Sequence, residues 1–269
     1  MDFFRAGNSR FAGLLLPIMC TVVMLRRPKH DWPLIIGANR DEMIDRPWLG
    51  PARHWPDRTH VTAGIDELAG GTWLAMNDDG VVASILNRQN SLGPAENKRS
   101  RGELPLEAVD HAEAKVAAKA LAGLDPSSYR SFNLVIADAR QAFWLRSTGE
   151  GDSSIDVMEI PAGVSMVTAY DMNDLNSPRI QTHLSRFQNA PPPDPDTDDW
   201  FTWQTLLSSK STTGDKTGRA AMNVTTRGAF GTICSSLIAL PRPGQPSIKA
   251  KWQFCAGRPD EHPYQPVEL

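Results

Sequence analysis

The sequence contains few cysteines and none of the common cysteine-spacing motifs. Its 269 residues include only Cys20, Cys234 and Cys255, an odd number at wide spacing. This pattern gives no disulfide framework and indicates a reducing compartment, so we expect a cytoplasmic protein. Cys234 and Cys255 lie in or beside apolar segments, which predicts that both are small buried core residues.

Motifs for metals, nucleotides and serine nucleophiles are missing as well. The chain has no CxxC or HExxH pattern, and its six histidines are scattered, so we expect no metal site. Glycine-rich phosphate loops and the GxSxG elbow are also absent. Nucleotide-binding and serine-hydrolase functions therefore lack support, and we expect no cofactor.

The chain has neither a strong positive charge nor a long apolar run. Its net charge is −3 and its pI is near 6.1, which argues against a nucleic-acid partner. No segment approaches the ~18–20 apolar residues of a membrane span. We therefore expect the partner to be a small-molecule substrate or an apolar ligand, and the oligomeric state stays unknown.

Residues 1–18 are interpreted as an N-terminal extension, ahead of one domain over residues 19–269. The apolar residues 14–19 form a stretch that is short for a signal peptide, and no Ala-x-Ala site closes it. The favoured interpretation is an over-extended start codon; the alternative is an extension that docks on the surface. A chain that starts at Met19 would lose this Met easily, and Cys20 would then carry a thiol and a free α-amine.

The hydrophobic pattern predicts many short strands, mostly joined by hairpins, with helices in the middle of the chain. The Asp-Gly step in residues 78–80 predicts a tight hairpin turn. Many hairpin-connected strands with helices in the middle favour an α+β fold with antiparallel sheets over a doubly wound parallel sheet. Strands are predicted over residues 21–25, 34–38, 70–77, 81–87, 132–137, 142–146, 157–160, 165–168, 234–240 and 248–254, and helices over residues 104–124, 179–187 and around 200–207.

The most informative feature is the run Asn39-Arg40-Asp41-Glu42, which directly follows the apolar residues 34–38. A buried strand that ends in such residues forms either a polar site or a turn. With a free α-amine of pKa about 7.7–8.0, Cys20 could act as nucleophile and base at once. Asp41 could hold the ammonium form, while Arg40 could lower the thiol pKa or bind a substrate carboxylate.

Asn87 ends a predicted strand, where its amide could donate a hydrogen bond to an oxyanion. Simpler structural roles stay open for each of these residues. Cys20 fits a small buried hydrophobe, residues 40–42 fit a strand-end salt-bridge and turn cluster, and Asn87 fits a turn residue.

The sequence around these residues resembles the NRDE family, which is the transport-and-Golgi-organisation group of proteins. The resemblance covers about residues 19–257 and rests on a combination of motifs, none of which is specific alone. The motifs are Met19-Cys20-Thr21, Gly37–Glu42, Arg46-Pro47, Gly70–Leu74, Ser100–Leu104, Phe132–Leu134 and Ser177–Arg179.

This family in turn is similar to N-terminal-nucleophile hydrolases of the penicillin V acylase and bile-salt hydrolase type. The resemblance implies a four-layer αββα sandwich of antiparallel sheets and an N-terminal Cys that attacks a linear amide. Cys20 matches that nucleophile, Asp41 matches the strand-end Asp, and Asn87 matches the oxyanion Asn that follows a Met-Asn-x-x-Gly hairpin. Arg40, Asn39 and Asn173 are the candidates for substrate binding or for tuning the thiol pKa.

We therefore expect a hydrolase of a small linear amide or acyl bond, with Cys20, Asp41 and Asn87 as catalytic residues. The alternative is a non-catalytic carrier of haem, an acyl lipid or acyl-CoA on the same fold. Ala38 stands where the acylases have an Arg, and the chain has eight tryptophans; both observations motivate the alternative.

Overall fold

The computed structural model describes residues 20–149, 151, 153–215, 217–225, 229–245 and 247–269. The predicted N-terminal extension, residues 1–18, lies outside this range. The strands are β1 Thr21–Arg26, β2 Leu34–Met43, β3 Trp48–Ala52, β4 Val61–Asp66, β5 Leu74–Asn77, β6 Val82–Asn87, β7 Phe132–Ala137, β8 Ala142–Ser147, β9 Asp156–Glu159, β10 Gly163–Val167, β11 Phe230–Leu240, β12 Lys251–Cys255 and β13 Tyr264–Pro266. The helices are α1 Leu104–Val109, α2 Ala114–Ala122, α3 Pro178–Asn189 and α4 Phe201–Leu207.

The strands form two antiparallel sheets. One has the order β10-β1-β2-β11-β12-β13, and the other runs from β3 to β9 in sequence order. The predicted hairpin of β1 and β2 is confirmed, with Met24 opposite Ile36. The predicted turn between β5 and β6 is confirmed too, and Gly80 has the positive φ of 81° that the Asp-Gly step favours.

Three apolar clusters define four layers. The first cluster lies between the sheets and joins side chains such as Ile36 and Ile238 to Leu86 and Trp144 of the other sheet. The second packs α1 and α2 on the outer face of the β3–β9 sheet, and the third packs α3 and α4 on the other sheet. The predicted αββα sandwich is therefore present.

The single helix predicted over residues 104–124 is wrong, because the chain forms two helices with a break between them. The Asn77 amide donates to the carbonyls of Val109 (2.7 Å) and His111 (2.8 Å), which holds the end of α1. The Asp138 carboxylate accepts from Ala114 N at 2.9 Å and starts α2. Val116, predicted on the apolar face, is half exposed.

Three strands were not predicted: β3, β4 and β13. Gly50 and Pro51 weaken the strand signal of β3, and proline is tolerated there because β3 is an edge strand. Gly64 weakens the strand signal of β4 in the same way. A Cβ at this position would meet the Trp73 ring at 2.3 Å, so the packing of Trp73 requires glycine.

Candidate functional site

The candidate site lies where β1 begins, β2 ends and β11 begins. Thr21 of β1 is opposite Asn39 of β2. On the other side of β2, Thr232 is opposite Asp41 and Cys234 is opposite Arg40, with an irregular register between Thr232 and Cys234. Because opposed residues of paired strands have neighbouring side chains, the Thr232 hydroxyl lies against Asp41.

Cys20 precedes β1 directly, and its Sγ lies 3.6 Å from the backbone carbonyl of Asp41. Burial and the nearby Asp41 carboxylate raise the pKa of the Cys20 thiol to about 12. A cavity of about 10 Å³ adjoins Cys20, lined in part by Arg40, Trp73, Ser84 and Cys234. This volume corresponds to about one water molecule.

Asp41 is buried, and both oxygens of its carboxylate are engaged. Oδ2 accepts from Arg179 Nη1 at 2.9 Å, and Oδ1 accepts from the Thr232 hydroxyl at 2.6 Å. Arg179 Nη1 also donates to the Thr21 hydroxyl at 2.7 Å. Burial raises the pKa of Asp41, while the Arg179 cation and the Thr232 hydrogen bond oppose this rise. The bonds tie α3 to the start of β1 and the end of β2.

Arg179 was not predicted as a site residue, although it belongs to the motif Ser177-Pro178-Arg179. Ser177 caps α3, since its side chain accepts from Ile180 N, and Pro178 is in the first turn. Arg179 shares the buried face of α3 with Ile180, His183 and Phe187. A charged residue on the apolar face of a helix is the signal that could have indicated a buried ion pair.

Arg40 lies between the sheets and is held on two sides. Its Nη2 donates to Asp66 Oδ2 at 2.9 Å, and its guanidinium carbon lies 4.0 Å from the centroid of the Trp73 ring. Arg46 binds the same Asp66 oxygen at 2.6 Å, so Asp66 has two cationic partners. Arg40 Nη1 is buried and has no hydrogen-bond partner among the described residues.

Of the three candidate asparagines, Asn39 is among the described residues that line the cavity beside Cys20, whereas Asn87 and Asn173 are not. The Asn39 amide donates to the carbonyls of Leu207 and Met222, both at 2.9 Å, and its oxygen accepts from Ser235. Asn173 adopts a φ of 59°, and its side-chain oxygen accepts from Met166 N at 2.7 Å, which shapes the loop after β10. Asn87 is half-buried at the end of β6 and is not among the described residues that line the cavity.

Two of the sequence motifs meet beside the site. Thr72 N donates to the Gly102 carbonyl at 2.8 Å. A Cβ on Gly71 would lie 2.5 Å from the Gly102 carbonyl carbon, so this crossing of two backbones requires glycine. Arg101, next to the crossing, donates to the Ser131 carbonyl, and burial together with the nearby Arg130 cation lowers the Arg101 pKa to about 10.

The other two cysteines occupy the core, as predicted. Cys234 and Cys255 are buried, and all three cysteines are free. Across the described ranges, no cluster of three His, Cys, Asp or Glu side chains is placed to hold a metal ion. No helix in the described part of the chain is long and apolar enough to cross a membrane.

A family model described as Transport and Golgi organisation 2 matches residues 19–248. The chain belongs to this family. It is 32% identical over 115 residues to the Transport and Golgi organization protein 2 homolog of Bos taurus, covering 41% of this chain and 40% of that protein. The Homo sapiens homolog is 30% identical over 129 residues, covering 46% and 43%. The chain thus spans less than half the length of the curated relatives it matches.

The fold of this chain also resembles that of a solved hydrolase structure. The N-acylethanolamine-hydrolyzing acid amidase ortholog of Caenorhabditis elegans superposes with a TM-score of 0.53 at 12% identity, covering 85% of this chain and 96% of that one. At such low identity the likeness concerns the fold alone. It confirms the predicted antiparallel α+β architecture of the N-terminal-nucleophile hydrolases.

Proposed function

We propose that the protein hydrolyses a small linear amide or related acyl bond with Cys20 as the nucleophile. The observation that carries the proposal is the position of the Cys20 Sγ, 3.6 Å from the Asp41 backbone at the junction of three strands. The amidase with the same fold is named for hydrolysing N-acylethanolamines, and these are linear amides. We take the same bond class for this protein.

The mechanism requires a base close to the Cys20 thiol. A thiol pKa of about 12 leaves about one thiolate in 10⁵ at pH 7, too few for an efficient nucleophile. A free α-amine on Cys20 has an ordinary pKa of about 7.7–8.0 and could accept the thiol proton without help from another residue. We therefore propose that the active form begins at Cys20 and lacks residues 1–19.

The neighbouring residues then take distinct roles. Asp41 lies close enough to Cys20 to influence its thiol, and Arg179 and Thr232 fix its carboxylate. In the proposed mechanism this carboxylate stabilises the ammonium form of the Cys20 amine. Asn87, at the end of β6, remains a proposed donor to the oxyanion.

The deciding experiment compares the full chain with a form in which Cys20 follows a single initiator Met that the host removes. Intact mass establishes the first residue of each protein, and release of amine from a series of N-acyl amides measures activity. We expect turnover from the form that begins at Cys20 and at least about 100-fold less from the full chain, because only the first has the local base.

Cys20→Ala and Cys20→Ser of the shortened form serve as controls. Cys20→Ala removes the nucleophile and should abolish turnover, while Cys20→Ser keeps the amine and a weaker nucleophile. Turnover in the Cys20→Ala protein equal to that of the wild type would show that the hydrolysis does not depend on this residue.

A second candidate function is the carriage of an apolar ligand such as haem or an acyl lipid. It is favoured by an open groove of about 790 Å³ between β3 and the C-terminal strands, with Pro51, Ala52, Phe254 and Val267 in its walls. Ligand pockets commonly have volumes of about 300–1,000 Å³. Titration with haem and with acyl-CoA tests this function, and binding that persists in Cys20→Ala without thiol-dependent turnover would favour it.

A further inference from the structure

The cavity beside Cys20 has room for one oxygen-sized atom. Its volume is about 10 Å³, and Cys20, Arg40, Ser84 and Trp73 line it. About one water molecule fits such a volume when polar groups are present to bind it. The acyl chain of a substrate therefore has no room here, whereas the carbonyl oxygen of the attacked bond has.

Arg40 contributes an unpaired donor to the same region. Its Nη2 is bound by Asp66, and its guanidinium stacks on Trp73. These contacts fix the guanidinium plane and leave Nη1 buried without a hydrogen-bond partner among the described residues. A buried donor that lacks a partner has a cost of about 1–3 kcal/mol, so a group held this way indicates a missing acceptor.

Two of the hydroxyls around the cavity already have a hydrogen-bond partner. Ser84 donates to the Trp73 carbonyl at 3.1 Å, and the Ser236 hydroxyl accepts from Trp252 at 3.2 Å. Among the described residues, both carboxylates that pair with Arg40 lie at Nη2: Asp66 binds this nitrogen, and Glu42 lies 3.9 Å from it.

We propose that Arg40 Nη1 donates a hydrogen bond to the oxyanion that forms when Cys20 attacks the substrate carbonyl. The inference rests on the proposed hydrolase function and adds Arg40 as a catalytic residue, beside the predicted Asn87. A positively charged donor fixed before the reaction stabilises the developing charge without reorganisation.

The Cys20 thiolate forms a bond to the carbonyl carbon, and the π electron pair of the carbonyl moves onto its oxygen, next to Arg40. When this pair returns, the C–N bond breaks, the nitrogen leaves with the proton that the Cys20 α-amine took from the thiol, and the acyl group stays on sulfur. Water later cleaves the thioester by the same sequence, through a second oxyanion in the same place.

The test separates oxyanion stabilisation from an effect on the thiol pKa. The purified full chain reacts at a single pH with a neutral short-chain acyl thioester and, separately, with iodoacetamide. Acylation passes through an oxyanion, whereas alkylation by iodoacetamide displaces iodide and does not. Both reactions use the Cys20 thiolate, so the ratio of their rates, followed by intact mass, cancels any change in the thiolate fraction.

The expected result is a loss of about 100- to 1,000-fold in this ratio for Arg40→Met, the usual effect of removing one oxyanion donor. Arg46→Met is the matched control, because it breaks the other ion pair of Asp66 while Arg46 does not line the cavity. The control should leave the ratio unchanged. Cys20→Ala gives the background from the other cysteines.

Two outcomes are decisive. An unchanged ratio in Arg40→Met overturns the role of Arg40 and leaves the hydrolase proposal standing. Alkylation of wild-type Cys20 without any acylation also overturns the role of Arg40. It does not decide the hydrolase proposal, which expects turnover from the form that begins at Cys20 and is tested on that form. Arg40→Lys is a second variant, chosen to protect the fold by keeping the positive charge and the ion pair with Asp66. Its acylation-to-alkylation ratio should also fall, because the single lysine ammonium cannot bind Asp66 and also occupy the position of Nη1.

Discussion

At the scale of single residues, the site depends on an ion pair whose two partners no local sequence pattern connects. Asp41 and Arg179 are 138 positions apart, yet their charged atoms lie 2.9 Å apart in the buried interior. The motif around Asp41 was predicted to be functional because polar residues follow a buried strand. Its partner could not be predicted, since spacing along the chain does not show which helix packs on which strand.

The sequence also does not show which packing partner the Asn39 side chain has. Asn39 was interpreted as a residue of the substrate site because it belongs to the motif that includes Asp41. Side chains alternate along a strand, so Asn39 and Arg40 extend to opposite faces of β2. Asn39 binds carbonyls on the side of α4, whereas Arg40 lies between the sheets. The role of Asn39 as a substrate residue stays a prediction.

Arg179→Met should destabilise the protein by about 3–5 kcal/mol, because it leaves the Asp41 carboxylate buried without its cation. Arg186→Met, on the exposed side of the same helix, should change stability by less than about 1 kcal/mol. Urea denaturation at neutral pH measures both. Equal effects of the two substitutions would show that the buried pair has no special weight.

The loss in Arg179→Met should also depend on pH. Burial already raises the pKa of Asp41, and removal of the Arg179 cation raises it further. A folded-state pKa above the unfolded value gives stability that is present at low pH and is lost as pH rises through the folded pKa. Arg179→Met should therefore lose less stability near pH 4 than at pH 7.

At the scale of elements, the sequence predicts those features that depend on neighbours along the chain. The β1–β2 and β5–β6 hairpins were predicted because their strands and turns are continuous segments. The break between α1 and α2 was not, because Asn77 and Asp138 impose it from other parts of the chain. Helical periodicity runs through the break in the sequence and gave one long helix.

Asn77→Ala should test how strongly the β5–β6 turn holds α1. Asn77 donates to two carbonyls near the end of α1, and its oxygen accepts from Val81 N at 2.8 Å. Removing all three bonds at a buried position should cost about 2–3 kcal/mol. Asn189→Ala, at the exposed end of α3, is the matched control and should stay within about 0.5 kcal/mol.

Thermal unfolding followed by circular dichroism measures this pair of variants. Hydrogen exchange adds a local readout, since the amides of α1 should exchange faster in Asn77→Ala. A variant that unfolds like the wild type, with α1 equally protected, would show that packing alone holds this helix.

At the scale of the whole molecule, the two-sheet sandwich encloses the candidate site. The cavity at Cys20 lies between the sheets, and two helical layers cover their outer faces. Antiparallel sheets were predicted from strand number and hairpins, whereas the stacking in four layers came only from the family resemblance. Hydrophobic alternation shows that a strand has a buried face but does not identify the layer against which that face packs.

One buried imidazole should contribute to the pH dependence of stability. His183 is fully buried on α3, and its Nδ1 lies 3.0 Å from Arg186 Nη1. Burial and the cations of Arg186 and Arg179 lower the pKa of His183 to about 4 from an ordinary 6.5. Between these values the unfolded chain binds more protons than the folded one, so stability should rise with pH from about 4 to 6.5.

A shift of this size corresponds to about 3 kcal/mol across the interval. Asp41, whose pKa is raised, contributes a slope of opposite sign, so the contribution of His183 is measured as a difference between proteins. We expect His183→Gln to gain less stability than the wild type when the pH rises from about 4 to 6.5. His30→Gln, in an exposed turn, should keep the wild-type slope. If His183→Gln also kept it, His183 would not be the group that couples protonation to folding here.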